Sequence, residues 1–394
     1  MTVGLSSPPS PAAKDVACGA RPLRRLGAAS PFGLALPSAQ PTAGQLYAPR
    51  GVWFDDQCVV VADSGNHRVL IWHRWPETDG ADADVVLGQP DFTSEGPAAG
   101  GRGCENGLHL PTGVLVHDGR LFVADAWHHR VLVWNTLPTA SDTPPSYAIG
   151  QPVLADAHPN AGGTVQGNTL YWPYGLVMVG GWFWIADTGN RRVLGWPHVP
   201  QPGEAAHVVL GQDDAQTALE NRGGAVSASS FRWPHAITGD AHTLYVADAG
   251  NHRILGWSTL PTRDRPAEVV IGQRDHAHAE ELPHRPQGPH RLRFPYAAAM
   301  SDHGLTVADT ANNRVLHWHQ PPRHGTRHEA QAVLGQLDFN AAGENRWKAV
   351  VDDSLCWPYG LWSHGDRLAI ADSGNNRVML WAGPTVAPAL SREI

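Results

Sequence analysis

The chain is short of lysine. Of its 29 basic residues only Lys14 and Lys348 are lysines, and 37 acidic residues leave a formal net charge of −8. No run of basic residues occurs, so the electrostatic footprint of a nucleic-acid binder is missing. The acidic balance also disfavours an anionic membrane surface. Cysteine is equally sparse. Cys18, Cys58, Cys104 and Cys356 form no CxxC pair and no finger spacing, which argues against a structural zinc site and fits a reducing compartment. The first residues lack the apolar stretch of a secretory signal, so a cytoplasmic protein is expected. The most apolar stretch, 170–186, is broken by Pro173, Gly175 and Gly180-Gly181, and reads as two strands and a turn rather than a spanning helix. A 3.6-residue apolar period is absent, which excludes a helical solenoid.

What is present is a repeat. A proline recurs at Pro49, Pro111, Pro173, Pro234, Pro295 and Pro358, with spacings of 62, 62, 61, 61 and 63 residues. Each proline is followed after 14 residues by an aspartate: Asp63, Asp125, Asp187, Asp248, Asp309 and Asp372. An arginine stands 5 residues beyond each aspartate, at Arg68, Arg130, Arg192, Arg253, Arg314 and Arg377. A tryptophan follows 4 residues later, from Trp72 to Trp381, and a Gly-Gln pair closes five of the six units. Within a unit, short runs rich in valine, leucine and aromatics are bounded by Gly, Asp, Asn and Pro, the pattern of four short strands. Four strands repeated six times describe an all-β fold, a six-bladed β-propeller.

The turns ADSGNHRVLIW (62–72), ADTGNRRVLGW (186–196), ADAGNHRILGW (247–257) and ADSGNNRVMLW (371–381) resemble the NHL-repeat family. The resemblance covers about 45 to 382 and implies a propeller. It implies little about activity, because one fold hosts many functions. The last unit lacks a Gly-Gln, with only 13 residues after Trp381. In the other blades the glycine precedes the next proline by 23 residues, and Gly27 precedes Pro49 by 22. Residues 22–28 are therefore expected to supply the outer strand of the last blade, closing the ring and removing an edge. The competing reading makes them a tail. The expected organisation is a disordered N-terminal tail over 1–21, the propeller over 22–385 and a C-terminal tail over 386–394.

The repeated Asp, Asn and Arg read as scaffold, because an active site needs asymmetry. Asp before a Gly-Asn turn suits capping, and Arg suits bidentate bridging. The tryptophans read as packing. Specific chemistry belongs where the copies differ. The residue after each proline is Arg50, Thr112, Tyr174, His235, Tyr296 and Tyr359, which takes three of the seven tyrosines. In propellers of this type the first strand is innermost, so these six are expected at one mouth of the channel, suited to a small polar or anionic ligand. Peptidyl-hydroxyglycine amidating lyases, which are NHL-like, hold zinc on three channel histidines, several directly after this proline. Here only His235 stands there, too few for a catalytic zinc site.

Two further departures stand out. The second signature reads ADAWHHRVLVW, placing Trp127, His128 and His129 on a turn where they offer a partner contact. The link into the fifth blade, 274–294, carries His276, His278 and His284, a cluster able in principle to bind metal but proline-rich and not preorganised. Stretches near Glu105-Asn106, Glu220-Asn221 and Glu344-Asn345 point to a shared loop fold in the long blade links. The leading expectation is a monomeric, non-enzymatic binding or scaffold propeller without cofactor or metal, presenting a face or channel mouth to a protein partner or small ligand. It has no nucleophile-base motif. The alternative is a lyase or hydrolase with His235 as general base, served by Arg50, Tyr174, Tyr296 and Tyr359.

Overall fold

The second strand of each unit carries apolar residues at consecutive positions, as in Val59–Asp63 and Arg120–Asp125, so it must be covered on both faces. A computed structural model of the protein, describing residues 19–27 and 40–384, shows how. Six antiparallel sheets of four strands each are arranged in a ring. Their inner strands are Gly51–Phe54, Pro111–His117, Pro173–Val179, Pro234–Gly239, Pro295–Ser301 and Pro358–His364. Each inner strand touches the next, and the sixth touches the first, so the ring is closed. Apolar cores fill the gaps between blades. Val60 and Ala62 pack toward the second blade, while Val59 and Val61 pack toward Ala371, Val378 and Leu380 of the sixth. Alternation of period two is thus present, with both faces apolar. Residues 1–18, 28–39 and 385–394, which hold Cys18, the expected C-terminal tail and most of the expected N-terminal one, lie outside the described residues. No described helix is long and apolar enough to cross a membrane.

The sixth sheet is completed from the other end of the chain. Arg21–Gly27 pairs antiparallel with Arg377–Ala382, with Leu26 opposite Val378 and Gly27 opposite Arg377. Leu87 opposite Val69 is the same register in the first blade. Gly27 has φ +92°, and the matching glycines of the other units have φ between +82° and +96°, a left-handed backbone that accounts for glycine at this point. Leu26 is fully buried. The strand is also tied sideways, by Gly80 N–H donating to Arg25 O at 2.8 Å and by Arg25 to Asp352 at 3.1 Å.

The repeated polar residues make one buried network per blade. Asp63 Oδ1 accepts the Tyr47 N–H at 2.6 Å, and its Oδ2 accepts from Asn66 at 2.8 Å and Arg68 Nε at 2.7 Å. The outer nitrogens of Arg68 donate to the carbonyls of Phe92, Thr42 and Gln45, which lie in the loops on either side of the blade. The other five aspartates hold their arginines at 2.7–3.0 Å in the same way. All twelve charged side chains are essentially inaccessible, with Arg377 the most exposed at 3%. Burying a charge is costly unless it is paired and hydrogen-bonded, and here nearly every valence is met. Gln89 of the Gly-Gln pair joins the same network, donating to the carbonyls of Asn66 and Gly96.

Adjacent blades are latched by the residue after the signature asparagine. His67 Nδ1 accepts the Leu110 N–H at 3.1 Å, His129 Nδ1 that of Trp172 at 3.2 Å, and His252 Nδ1 that of Phe294 at 3.2 Å. Asn313 and Asn376 do the same with Oδ1, at 2.9 Å each, for Trp357 and Ala48. Each of these latched residues precedes a proline and has φ between 46° and 55°, a conformation that position seldom adopts. Between the third and fourth blades Arg191 has no acceptor to offer. There Trp233 turns its N–H to Asp248 at 3.3 Å, and its φ is not positive.

Two outcomes follow from these joints. Removing residues 1–27 exposes the edge of the sixth sheet and forfeits about 1.5–3 kcal/mol from Leu26 alone, so the melting temperature falls by several degrees; an unchanged value refutes the closure. Burial pushes His67, His129 and His252 each down to about 4. A depressed histidine takes up fewer protons folded than unfolded, so its contribution is full above about pH 6.5 and is lost as pH falls toward 4. Melts from pH 7 to pH 4 show that loss, and the triple variant His67→Asn, His129→Asn, His252→Asn, which copies the latch of the last two blades without its titration, has a flatter profile.

Candidate functional site

The inner strand begins Pro-X-Gly in four blades, and the glycine lets neighbouring strands close up. A Cβ on Gly51 would lie 1.8 Å from Thr112 O, and one on Gly113, Gly175 or Gly360 would lie 2.4–2.5 Å from the carbonyl of Tyr174, His235 or Arg50. This close approach brings the six X side chains together at one mouth of the channel. All six line a cavity of about 170 Å³, whose walls farther along are Met178, Thr238, Met300, Trp362 and Ser363.

The ring is stacked in sequence. The Arg50 guanidinium lies 5.1 Å over the Tyr359 ring. Tyr359 stacks on Tyr296 at 4.7 Å and 15°. His235 sits between Tyr296 at 4.5 Å and Tyr174 at 4.3 Å, tilted by about 60° to both. The Thr112 hydroxyl donates to Tyr174 O at 3.1 Å and so holds the strand that carries Tyr174. A second tier of rings lies above, with Trp357 over Tyr359 at 6.5 Å, Phe294 over Tyr296 at 6.4 Å, and Trp233 over Phe294 at 6.4 Å. These are the residues before the blade prolines, where Trp172, Trp233, Phe294 and Trp357 occupy four of six positions. Sequence reasoning passed over them, although an aromatic directly before the repeat proline was a signal in plain view.

The charge state of the ring is set by burial. Desolvation drives His235 down to about 3. Its Nδ1 lies 3.0 Å from Trp233 O, an acceptor only, so Nδ1 carries the proton and Nε2 keeps a lone pair. Burial pushes Tyr174 up to about 12 and raises Tyr296 and Tyr359 as well, so all three phenols remain protonated near neutrality. Arg50 is then the one charge in the ring. No aspartate or glutamate lines the cavity, and no ion pair reaches the Arg50 guanidinium among the described residues; its polar neighbour is the Tyr174 hydroxyl. The Tyr174 hydroxyl is buried with no close hydrogen bond, and the Arg50 guanidinium is the charged group that acts on it.

The His235 environment bears on the alternative in which it serves as a general base. A histidine held near 3 is a poor base at neutral pH, and no carboxylate orients it. The second-blade turn is likewise only partly open. Trp127 is 47% exposed and meets Trp172 edge-on at 6.0 Å. His128 is buried in the place of the signature asparagine, its Nδ1 2.8 Å from Asp125, and His129 is the latch to Trp172. The fifth link does not assemble a metal centre. His278 pairs with Asp275, His276 gives its backbone carbonyl to Arg253, and no three metal-type ligands converge among the described residues. The shared loop fold involves Asn160, Asn221 and Asn345, bonded to Asn190, Asn251 and Asn375. Glu105-Asn106 is not part of it; Ala98 takes the matching place, with its N–H on Leu108 O as Asn221 N–H is on Phe231 O. The described thiols Cys58, Cys104 and Cys356 are unpaired, and burial raises Cys58 and Cys356 to about 12.

Fold and site together define a six-bladed β-propeller with an aromatic, singly cationic channel mouth. No family model matches the chain, and no curated protein matches it. Among solved structures it is similar to a chain in a crystal structure of a nidogen/laminin complex, at 18% identity and TM-score 0.40, over 68% of this chain and 74% of that one. It is also similar to Chaetomium thermophilum Raptor, at 11% identity and TM-score 0.42, over 89% of this chain and 29% of that one. Likenesses this distant assign nothing, and the propeller stands on its own strand order.

An orphaned buried hydroxyl costs about 1–3 kcal/mol. Tyr174→Phe removes that cost with little change of shape, so its melting temperature is equal to or above that of the unaltered chain. A loss exceeding about 1 kcal/mol shows that the hydroxyl is structurally satisfied.

Proposed function

We propose that this chain is an NHL-type binding propeller, not an enzyme, that receives a small polar ligand or a partner's side chain at the mouth formed by Arg50, Tyr174, His235, Tyr296 and Tyr359, with Thr112 bracing the strand beneath. One observation carries this reading: a guanidinium over an aromatic ring with no carboxylate on the cavity lining, beside a buried hydroxyl with no close hydrogen bond. Such an arrangement is costly in the empty protein, and sites of function are where folds tolerate that cost. The neutral, weakly basic His235 supports binding over catalysis. Trp127 adds an exposed aromatic at the rim for a protein partner, with His128 and His129 supporting its turn from beneath.

Ligand-observed NMR against a library of small polar metabolites, with electrospray mass measurement of each recovered ligand, tests the proposal. Binding that is lost in Tyr359→Ala, with ligand mass unchanged after incubation, is the expected result. Turnover of a bound compound, or a library with no ligand sensitive to Tyr359→Ala, overturns it.

A further inference from the structure

The ring around the channel mouth specifies the sign and shape of what enters. Buried cations in proteins are paired with carboxylates or bound to carbonyls. The six signature arginines obey this rule, each with its aspartate and loop carbonyls. Arg50 breaks it. Its guanidinium lies over the Tyr359 ring with the Tyr174 hydroxyl beside it, and cation–π contact leaves N–H donors available. A planar fork of donors matches a carboxylate bidentately better than any neutral group. The Tyr174 hydroxyl, protonated and with no close hydrogen bond of its own, is a further donor beside it. The remaining lining is largely aromatic and apolar: Tyr296 and Tyr359, and Leu176, Ile237, Ala298 and Leu361 farther down. The cavity of about 170 Å³ extends from the ring down the channel to Trp362 and Ser363.

Resting on the binding reading above, we infer that the ligand is a small carboxylic acid with a planar apolar body, its carboxylate held by the Arg50 guanidinium and the Tyr174 hydroxyl and its body lying along the aromatic and apolar wall of the channel. A cationic or neutral ligand of the same shape is disfavoured, because it leaves the guanidinium unpaired or faces it with like charge. The acid is either free or the terminus of a peptide ending in an aromatic residue. The chemistry at Arg50 is the same for both.

The test uses the full chain, with binding read by isothermal calorimetry or saturation-transfer NMR. Benzoate is compared with benzamide, benzylammonium and acetate on the unaltered protein, which needs no variant to fold. The expected order is benzoate well above acetate, with benzamide and benzylammonium weaker than benzoate by about tenfold or more. N-acetylphenylalanine against its amide shows whether a chain terminus is taken as well as a free acid. Arg50→Met weakens benzoate about thirtyfold or more, and Tyr174→Phe weakens it about tenfold while leaving the melting temperature equal or higher. Benzamide or benzylammonium binding as well as benzoate, in a manner still lost in Tyr359→Ala, overturns the inference and leaves the binding reading standing. Benzoate binding that survives both Tyr359→Ala and Arg50→Met overturns the inference by placing the acid elsewhere. If none of the four probes binds, the inference fails, and the metabolite library then decides the binding reading separately.

Discussion

The buried aspartate–arginine pair is the joint on which this propeller depends. In each blade a carboxylate at the end of the second strand holds three things at once: the backbone leading into the inner strand, the turn that follows, and the arginine that starts the third strand. The arginine carries the link outward to loop carbonyls before and after the blade. Two opposite charges placed in a low-dielectric interior repel burial strongly unless their remaining valences are met. Meeting them fixes the loops, and fixed loops in turn fix where each blade proline lies. Removing one partner would leave the other as an uncompensated buried charge, so the motif tolerates little change, which agrees with its sixfold repetition in this chain.

That joint has a consequence for function. Because the same network recurs in every blade, it positions six equivalent points around the channel without specifying what stands there. The Pro-X-Gly start then narrows the ring, since the glycine admits the neighbouring carbonyl. The scaffold is therefore symmetric to within a residue or two, and the chemistry at X is free to be asymmetric. Arginine, threonine, three tyrosines and a histidine use this freedom, and burial sets the protonation of the last four. One unpaired positive charge in an otherwise neutral aromatic ring is the outcome, in a protein whose overall charge is −8.

The seam between the third and fourth blades shows how local identity and global geometry trade against each other. Five blade junctions hold the residue before the proline in a left-handed conformation by donating its N–H to a histidine or asparagine. Arginine at position 191 cannot accept a hydrogen bond, and the sixth junction relaxes to a different backbone and a different acceptor, Asp248. The residue that relaxes, Trp233, is the one whose carbonyl fixes the tautomer of His235. The asymmetry of a surface turn is thus passed to the channel mouth two residues away.

The sequence by itself determined the blade count, the four strands in each, the scaffold role of Asp, Asn, Arg and Gln, and the closure of the last blade by the segment around Leu26. Each of these rests on spacing along the chain, and spacing is visible in one dimension. It also placed the six ring residues at a common position. Tertiary structure alone decided that His128 is buried while its neighbour Trp127 is open, that Thr112 braces a strand, that the fifth-link histidines do not converge, and that Arg50 has no counter-charge. Those facts depend on which side chains from different blades meet and how much water reaches them, and desolvation and pairing across the ring leave no trace in the order of residues.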